Sequence, residues 1–262
     1  MLKGPLVDCH AHVWGPNMEF VPTAWTRPDY TYTAEDWLAD LDRFGIEYGV
    51  IAAASLFGTN NDYTLAALAR YPNLRGTAIL DPATDDAALA ELASSGIVGV
   101  RLQWFMIDPL PEIDEAFCGR LRDHGLHIHL NIDGGRLSGI ADKLLRTGVK
   151  LVIDHYGWHA FERRLEEPSY VHMLRLLESD TCRVKLSSGF RRPDRDLPAE
   201  YTRDLLARFG PGKLLWGSDS PFVGHESTAS YAQVVEDFHY AVPDADMRDA
   251  LGQSAYSFYF AG

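Results

Sequence analysis

The feature that most constrains this chain is a regular recurrence of short apolar, β-branched runs, each followed by a helical pattern. The runs occupy residues 6–7, 48–53, 75–80, 97–102, 126–132, 150–153, 182–186 and 213–216. Eight strand–helix units in this length predict an α/β fold of the (β/α)8 TIM-barrel type. An open doubly wound sheet would show a glycine-rich turn after its first strand. Here the first strand runs instead into Asp8-Cys9-His10-Ala11-His12. Helix signals fall between the runs. Thr33 precedes Ala34-Glu35-Asp36 as an N-cap and Gly45 follows the last turn. Thr84 is expected to cap a helix over 85–95 that Gly96 ends. Leu197-Pro198-Ala199-Glu200 opens another, stopped by Gly210-Pro211-Gly212. An extra C-terminal helix over 244–260 is expected on the outside or bottom of the barrel. With no linker and no repeat, residues 1–262 read as one domain.

Composition excludes several classes. The chain has 262 residues, 46% hydrophobic and 23% charged, which excludes disorder. Its net charge of −13 argues against nucleic-acid or anionic-membrane partners. No apolar run approaches the roughly 20 residues of a membrane span. Cys9, Cys118 and Cys182 have no CxxC spacing, so neither a disulfide framework nor a zinc ribbon is expected. The start Met1-Leu2-Lys3-Gly4-Pro5 leads into a motif by Asp8, leaving no space for a signal peptide, and a cytoplasmic location is expected.

Side chains alternate along a strand, and the inward ones near its C-terminal end line the active site of such a barrel. On this count Asp8, His10 and His12 share one face of the first strand. Arg101 and Gln103 share one face of the fourth, and His127, His129 and Asn131 one face of the fifth. His155 ends the sixth on the face of Leu151 and Ile153, and Asp219 follows Leu215 and Gly217 after the eighth. A His-x-His at a strand end places two imidazoles side by side, which suits a divalent metal. A carboxylate from the last strand completes such a site or acts as a base toward water. Convergence of His10, His12, His129, His155 and Asp219 on one rim points to a catalytic site. His124, His172 and His239 fall on helices or exposed segments and are read as having no role.

The stretch Val7-Asp8-Cys9-His10-Ala11-His12-Val13-Trp14-Gly15-Pro16 resembles the opening of the amidohydrolase superfamily. More narrowly, it resembles the branch that holds pyrone-dicarboxylate, sugar and muconolactone lactonases. Gly58-Thr59-Asn60-Asn61, Gly99-Val100-Arg101, Val152-Ile153-Asp154-His155, Val184-Lys185-Leu186-Ser187 and Trp216-Gly217-Ser218-Asp219-Ser220-Pro221 agree with it, in order along the chain. The resemblance implies that Asp219 is the general base that activates water. It implies that His155 polarises the scissile carbonyl or steadies the oxyanion. His10 and His12 hold a metal or, in metal-free members, the same carbonyl and water. The implied reaction is hydrolytic opening of a carboxylated lactone in aromatic degradation.

Departures from that pattern shape the expectation. His129 stands on the inward face of the fifth strand, so His10, His12, His129 and Asp219 would make a mononuclear ligand set for one zinc or manganese ion, leaving His155 free. Arg101 on the fourth strand, rather than lysine, argues against a carbamate-bridged binuclear site. Arg101 and Arg191 are the candidate carboxylate clamps, with Ser55, Asn60 and Tyr63 as further contacts. An ion pair with Asp8 or Asp81 is the other reading of Arg101, and a solvated loop the other reading of Arg191 and Arg192. The segment LQWFMIDP over 102–109 has no arginine. It offers Trp104, Phe105 and Met106 instead, which suggests a less charged substrate. The long first loop, with Trp14, Trp25, Tyr30 and Tyr32, walls the pocket or packs as a lid. Trp158, His159, Phe222 and His225 are expected behind the residues that touch substrate, and Lys185 as a substrate contact or a buried charge. A zinc-dependent decarboxylase and a lactone isomerase are the alternatives. The expected partner is a small carboxylated lactone, on a monomer or homodimer.

Overall fold

The computed structural model describes residues 3–159 and 164–261. Met1 and Leu2 of the expected N-terminal lead therefore lie outside the described residues. Eight parallel strands follow one another around a barrel. They are β1 (Val7–Ala11), β2 (Tyr48–Ile51), β3 (Leu74–Ala78), β4 (Ile97–Gln103), β5 (His127–Asn131), β6 (Leu151–Ile153), β7 (Cys182–Leu186) and β8 (Leu214–Trp216). The seam between first and last is closed just beyond β8. There the Asp219 amide donates to the His10 carbonyl at 2.7 Å and the His12 amide to Ser220 at 2.8 Å.

Helices α1 (Ala34–Arg43), α2 (Asp62–Arg70), α3 (Asp86–Ser94), α4 (Glu115–Asp123), α5 (Gly134–Arg146), α6 (Pro168–Leu177) and α7 (Asp196–Phe209) connect the strands, and with α8 (Tyr231–Ala241) after β8 they form the outer layer. α9 (Ala245–Tyr259) follows. The Thr33 side chain caps α1 in a reciprocal box with Asp36. The cap of α3 is Asp85, not Thr84: the Asp85 carboxylate takes the Ala88 amide, while the Thr84 hydroxyl donates to Asp81 one turn earlier. No helix among the described residues is long and apolar enough to cross a membrane.

The apolar residues sort into an outer core and an inner plug. Ile128, Leu130, Leu151 and Ile153 pack with Leu137, Leu144 and Met173 between strands and helices. Val7, Cys9, Val50, Val152 and Leu215 fill the lower interior with Ala255 and Tyr259 of α9. That helix therefore closes the bottom of the barrel, where the strands begin. Burial of this kind contributes roughly 25 cal/mol per Å² of apolar surface.

Two strands depart from the faces expected of them. The register of β1 on β2 shifts between Asp8 and Ala11. Cys9 and His10 both face the interior, and Asp8 faces the helices. There its carboxylate accepts from Trp37 Nε1, Tyr231 Oη, Ser218 Oγ and the backbone amides of Ser218 and His10. Asp8 thus does not share a face with His10 and His12. In β6 the inward residue is Val152, so the inward position after it is Asp154. Leu151 and Ile153 lie in the outer core. His155 still reaches the rim because it leaves the strand with a left-handed φ of 55°.

Candidate active site

The upper interior holds a layered arrangement of charge. In its floor, Lys185 Nζ lies 2.9 Å from both His10 Nδ1 and His129 Nδ1, and 3.3 Å from Asp154 Oδ1. The other Asp154 oxygen takes Arg101 Nε at 3.1 Å. Lys185 and Asp154 have no exposed surface. Burial pulls the Lys185 pKa down, against the opposing pull of Asp154. Burial pushes Asp154 up, but Lys185, His10 and Arg101 outweigh it and hold its carboxyl well below the ordinary range. This carboxylate compensates two buried cations at once. The sequence reading missed it, although the corrected parity of β6 points it inward. Arg101 pairs with Asp154, not with Asp8 or Asp81.

Above this floor stands Asp219. Its Oδ1 is 3.6 Å from His10 Nε2 and 3.4 Å from His12 Nε2. Its Oδ2 accepts from Ser188 Oγ and faces Arg191 Nε at 3.4 Å. Burial would raise this carboxyl, yet His155, His12 and His10 outweigh it and keep it well below the ordinary range. His155 is buried, and its Nδ1 is tied to Ser187 Oγ at 2.8 Å. Burial lowers its pKa to about 4, so the ring is neutral at pH 7. His155, Ser188 and Asp219, which follow three successive strands, all have left-handed φ, at 55°, 59° and 60°. Non-glycine residues occupy that region at a cost, and such strain gathers at functional sites. Ser188 is a second residue that sequence reasoning missed, since nothing in the pattern signals its turn.

His10, His155 and Asp219 each offer a ligand atom, and these lie within 4.8 Å of one another. His10 Nε2 is buried with no hydrogen-bond partner among the described residues. The His12 Nδ1 proton can go to the Ala52 carbonyl at 2.7 Å, which turns an Nε2 lone pair toward Asp219. These donors fit one divalent cation. The expected set differs: this cluster holds His155 in place of His129, and His12 lies beside it at 3.4 Å from Asp219 and is not one of its three members. His129 is not at this cluster, because its Nδ1 meets Lys185 and its Nε2 meets His127 at 2.8 Å, one layer deeper in the barrel.

The cavity over Asp219 has a volume of about 450 Å³. His12, His155, Asp219, Arg101, Arg191 and Ser55 line it, with Trp14, Trp25, Gln103, Phe105, Met106, Asn131 and Trp158. Trp104 does not. Gln103 points inward, so Trp104 turns into the core beneath the helices, and Phe105 and Met106 take the rim. Asn60 and Tyr63 are also outside the lining: Asn60 receives the Asp62 amide, and Tyr63 Oη receives the Ala34 amide. His159 pairs with Ser169 behind the wall.

Comparison with known proteins agrees with this arrangement. The amidohydrolase family model matches residues 7–261. A 4-sulfomuconolactone hydrolase of Rhizobium radiobacter is 29% identical over 83% of this chain and 76% of its own length. A 2-pyrone-4,6-dicarboxylate hydrolase of Comamonas testosteroni is 26% identical over 84% and 78%. The crystal structure of a probable 2-pyrone-4,6-dicarboxylic acid hydrolase from Acinetobacter baumannii, with citric acid bound, superposes with a TM-score of 0.91 at 28% identity, covering 97% of this chain and 99% of that one. A barrel of eight parallel strands, histidines and an aspartate gathered at its C-terminal rim, and a family match across nearly the whole sequence lead to one conclusion: the chain belongs to the amidohydrolase family.

Proposed function

We propose that this enzyme opens carboxylated lactone rings by hydrolysis. The observation that carries the reading is the Asp219 carboxylate, ionised by its histidine neighbours and set at the base of a cavity that Arg101 also enters. The lactone-hydrolase names of the relatives support it. In this reaction Asp219 takes a proton from water, and the water oxygen bonds to the ring carbonyl carbon. His155, tied at Nδ1 to Ser187, presents Nε2 to the cavity and donates to the developing oxyanion. The ring C–O bond then breaks, the departing oxygen takes the proton held on Asp219, and the new acid ionises. Arg101 orients the substrate carboxylate. Where His10, His155 and Asp219 hold a divalent ion, with His12 beside them, it would lower the pKa of bound water toward neutrality. A cytoplasmic location, a role in aromatic degradation, and a one-domain monomer or homodimer belong to the same proposal.

Release of one proton per lactone opened, followed with an indicator dye, tests the activity. Asp219→Asn is expected to lower kcat by on the order of 10² to 10⁴ while the chain stays folded. Undiminished turnover in that variant would reject the assignment. Elemental analysis and chelation test the metal. Loss of turnover on chelation, restored by zinc or manganese, assigns the ion to this site. Chelator-insensitive turnover with no bound ion leaves Asp219 and the histidines acting directly on water and carbonyl.

A further inference from the structure

Three polar side chains on the cavity wall hold one another in a fixed sense. Gln103 and Asn131 are paired residues of β4 and β5, so their inward side chains stand next to each other. Trp158 follows β6 and reaches across to Asn131. All three line the cavity over Asp219, and none has a part in the hydrolysis derived above.

The anchor is Trp158. Its backbone is left-handed, with a φ of 48°, a costly conformation for so large a residue. Its ring is held on several sides. Phe105 stacks on it with centroids 4.7 Å apart, His155 meets it edge-on at 5.2 Å, and the Arg192 guanidinium lies over it at 5.0 Å. An indole N–H can only donate, and Trp158 Nε1 lies 2.6 Å from Asn131, so Asn131 turns its oxygen there. The Asn131 amide nitrogen then faces Gln103 at 2.8 Å, and Gln103 must turn its own oxygen to it. What remains is the Gln103 amide nitrogen, which has no hydrogen-bond partner among the described residues. A free amide could present either end to the cavity, but this one is fixed. Reversing Gln103 alone would set its nitrogen against that of Asn131. Reversing both would set the Asn131 nitrogen against the Trp158 N–H.

We propose that Gln103 is a substrate-binding residue whose amide N–H donates to a carbonyl or carboxylate oxygen of the lactone, and that Asn131 and Trp158 are the positioning residues that fix it as a donor. Arg101 precedes it by two residues on the same face of β4, about 6–7 Å along the strand. The β4 wall is therefore made of donors. It matches the acceptor oxygens of a carboxylated lactone and mismatches an amino or ammonium substituent. This rests on the reading of the site as a lactone hydrolase and names residues that hold the ring in it.

The test measures kcat and KM for 2-pyrone-4,6-dicarboxylate and for muconolactone. Gln103→Met removes the donor with little change of shape. It is expected to raise KM about tenfold, with kcat changed by less than about threefold. Asn131→Asp keeps an acceptor for Trp158 but can only accept from Gln103 too, so it reverses the Gln103 amide and turns an oxygen toward the substrate. The added charge also repels an anionic ring, and the double variant separates the two effects. Asn131→Asp is expected to raise KM at least about tenfold more when Gln103 is present than in the Gln103→Met background. An unchanged KM in Gln103→Met, or an equal cost of Asn131→Asp in both backgrounds, would overturn the assignment while leaving lactone hydrolysis standing. A wild-type enzyme that opens neither ring would remove the lactone reading, and this inference with it.

Discussion

Lys185 and Asp154 show what a buried charge does at the scale of one residue. Neither would be tolerated alone in a closed barrel, since an unpaired buried ion costs several kcal/mol. Together with Arg101 they form a group in which each cation meets the same carboxylate. Lys185→Met would leave Asp154 with Arg101 and His10 and remove a donor from His10 and His129. It is expected to destabilise the chain by about 3–5 kcal/mol, read from urea unfolding. A loss under about 1 kcal/mol would mean that the three charges are not coupled in this way. Most of the candidate site was legible at this scale. His10, His12, His155 and Asp219 could be found because histidines and an aspartate at the ends of apolar runs have few other uses. Arg101, Arg191 and Ser55 also reach the cavity. What could not be read was the direction of each side chain where the backbone leaves regular geometry. Asp154 was hidden by a parity count that placed Leu151 and Ile153 inward. Trp104 and His129 were misplaced because a strand face names a direction without saying how deep in the barrel a residue sits or what already fills its hydrogen bonds.

Elements were read more securely than their ends. Each of the eight apolar runs became a strand, and each boundary moved by a few residues at most, except that β1 continues into the His-x-His motif as far as Ala11. The run at 6–7 looked short because Asp8 and His10 interrupt its hydrophobicity. Both take hydrogen-bond partners distant in sequence, which no local pattern displays. The shifted cap of α3 gives a direct check. Asp85→Ala removes the side chain that accepts the Ala88 amide and should cost about 1 kcal/mol. Thr84→Ala removes only a hydroxyl donated to the preceding turn and should cost less, about 0.5 kcal/mol or under. Denaturant midpoints of the two variants decide it, and the reverse order would restore Thr84 as the cap. The same distinction explains the bulge in β1. A bulge adds a residue to one strand without changing its composition, so it alters which residues face the site while leaving the apolar pattern intact.

At the scale of the whole molecule, the barrel stores neutral histidines in its interior. His127 and His129 stack in the lower interior against Tyr259, and burial holds both rings well below the ordinary imidazole pKa. Burial lowers His155 to about 4 and His159 to about 3. A histidine whose folded pKa lies below 6.5 takes up a proton in the unfolded chain before it does in the folded one. Stability is therefore complete above pH 6.5 and falls as the pH drops toward the folded values, by about 1.4 kcal/mol per histidine per pH unit. Asp154 and Asp219, with depressed carboxyl pKa values, add losses in the same direction only below about pH 4. Asp8, whose pKa burial raises against its five donors, acts the other way. Four histidines outweigh one carboxylate across the window from pH 6.5 to 4.5. The chain is expected to unfold at a markedly lower temperature at pH 5.5 than at pH 7.5, and further lowered at pH 4.5. His159→Gln, which removes one of these rings away from Asp219, should make that slope shallower. Unfolding temperatures that stay constant from pH 7.5 to 4.5 would mean that the imidazoles inside the barrel take up protons over the same range as in the unfolded chain. In that case Lys185, 2.9 Å from His129, would face a like charge and could not remain an ammonium ion.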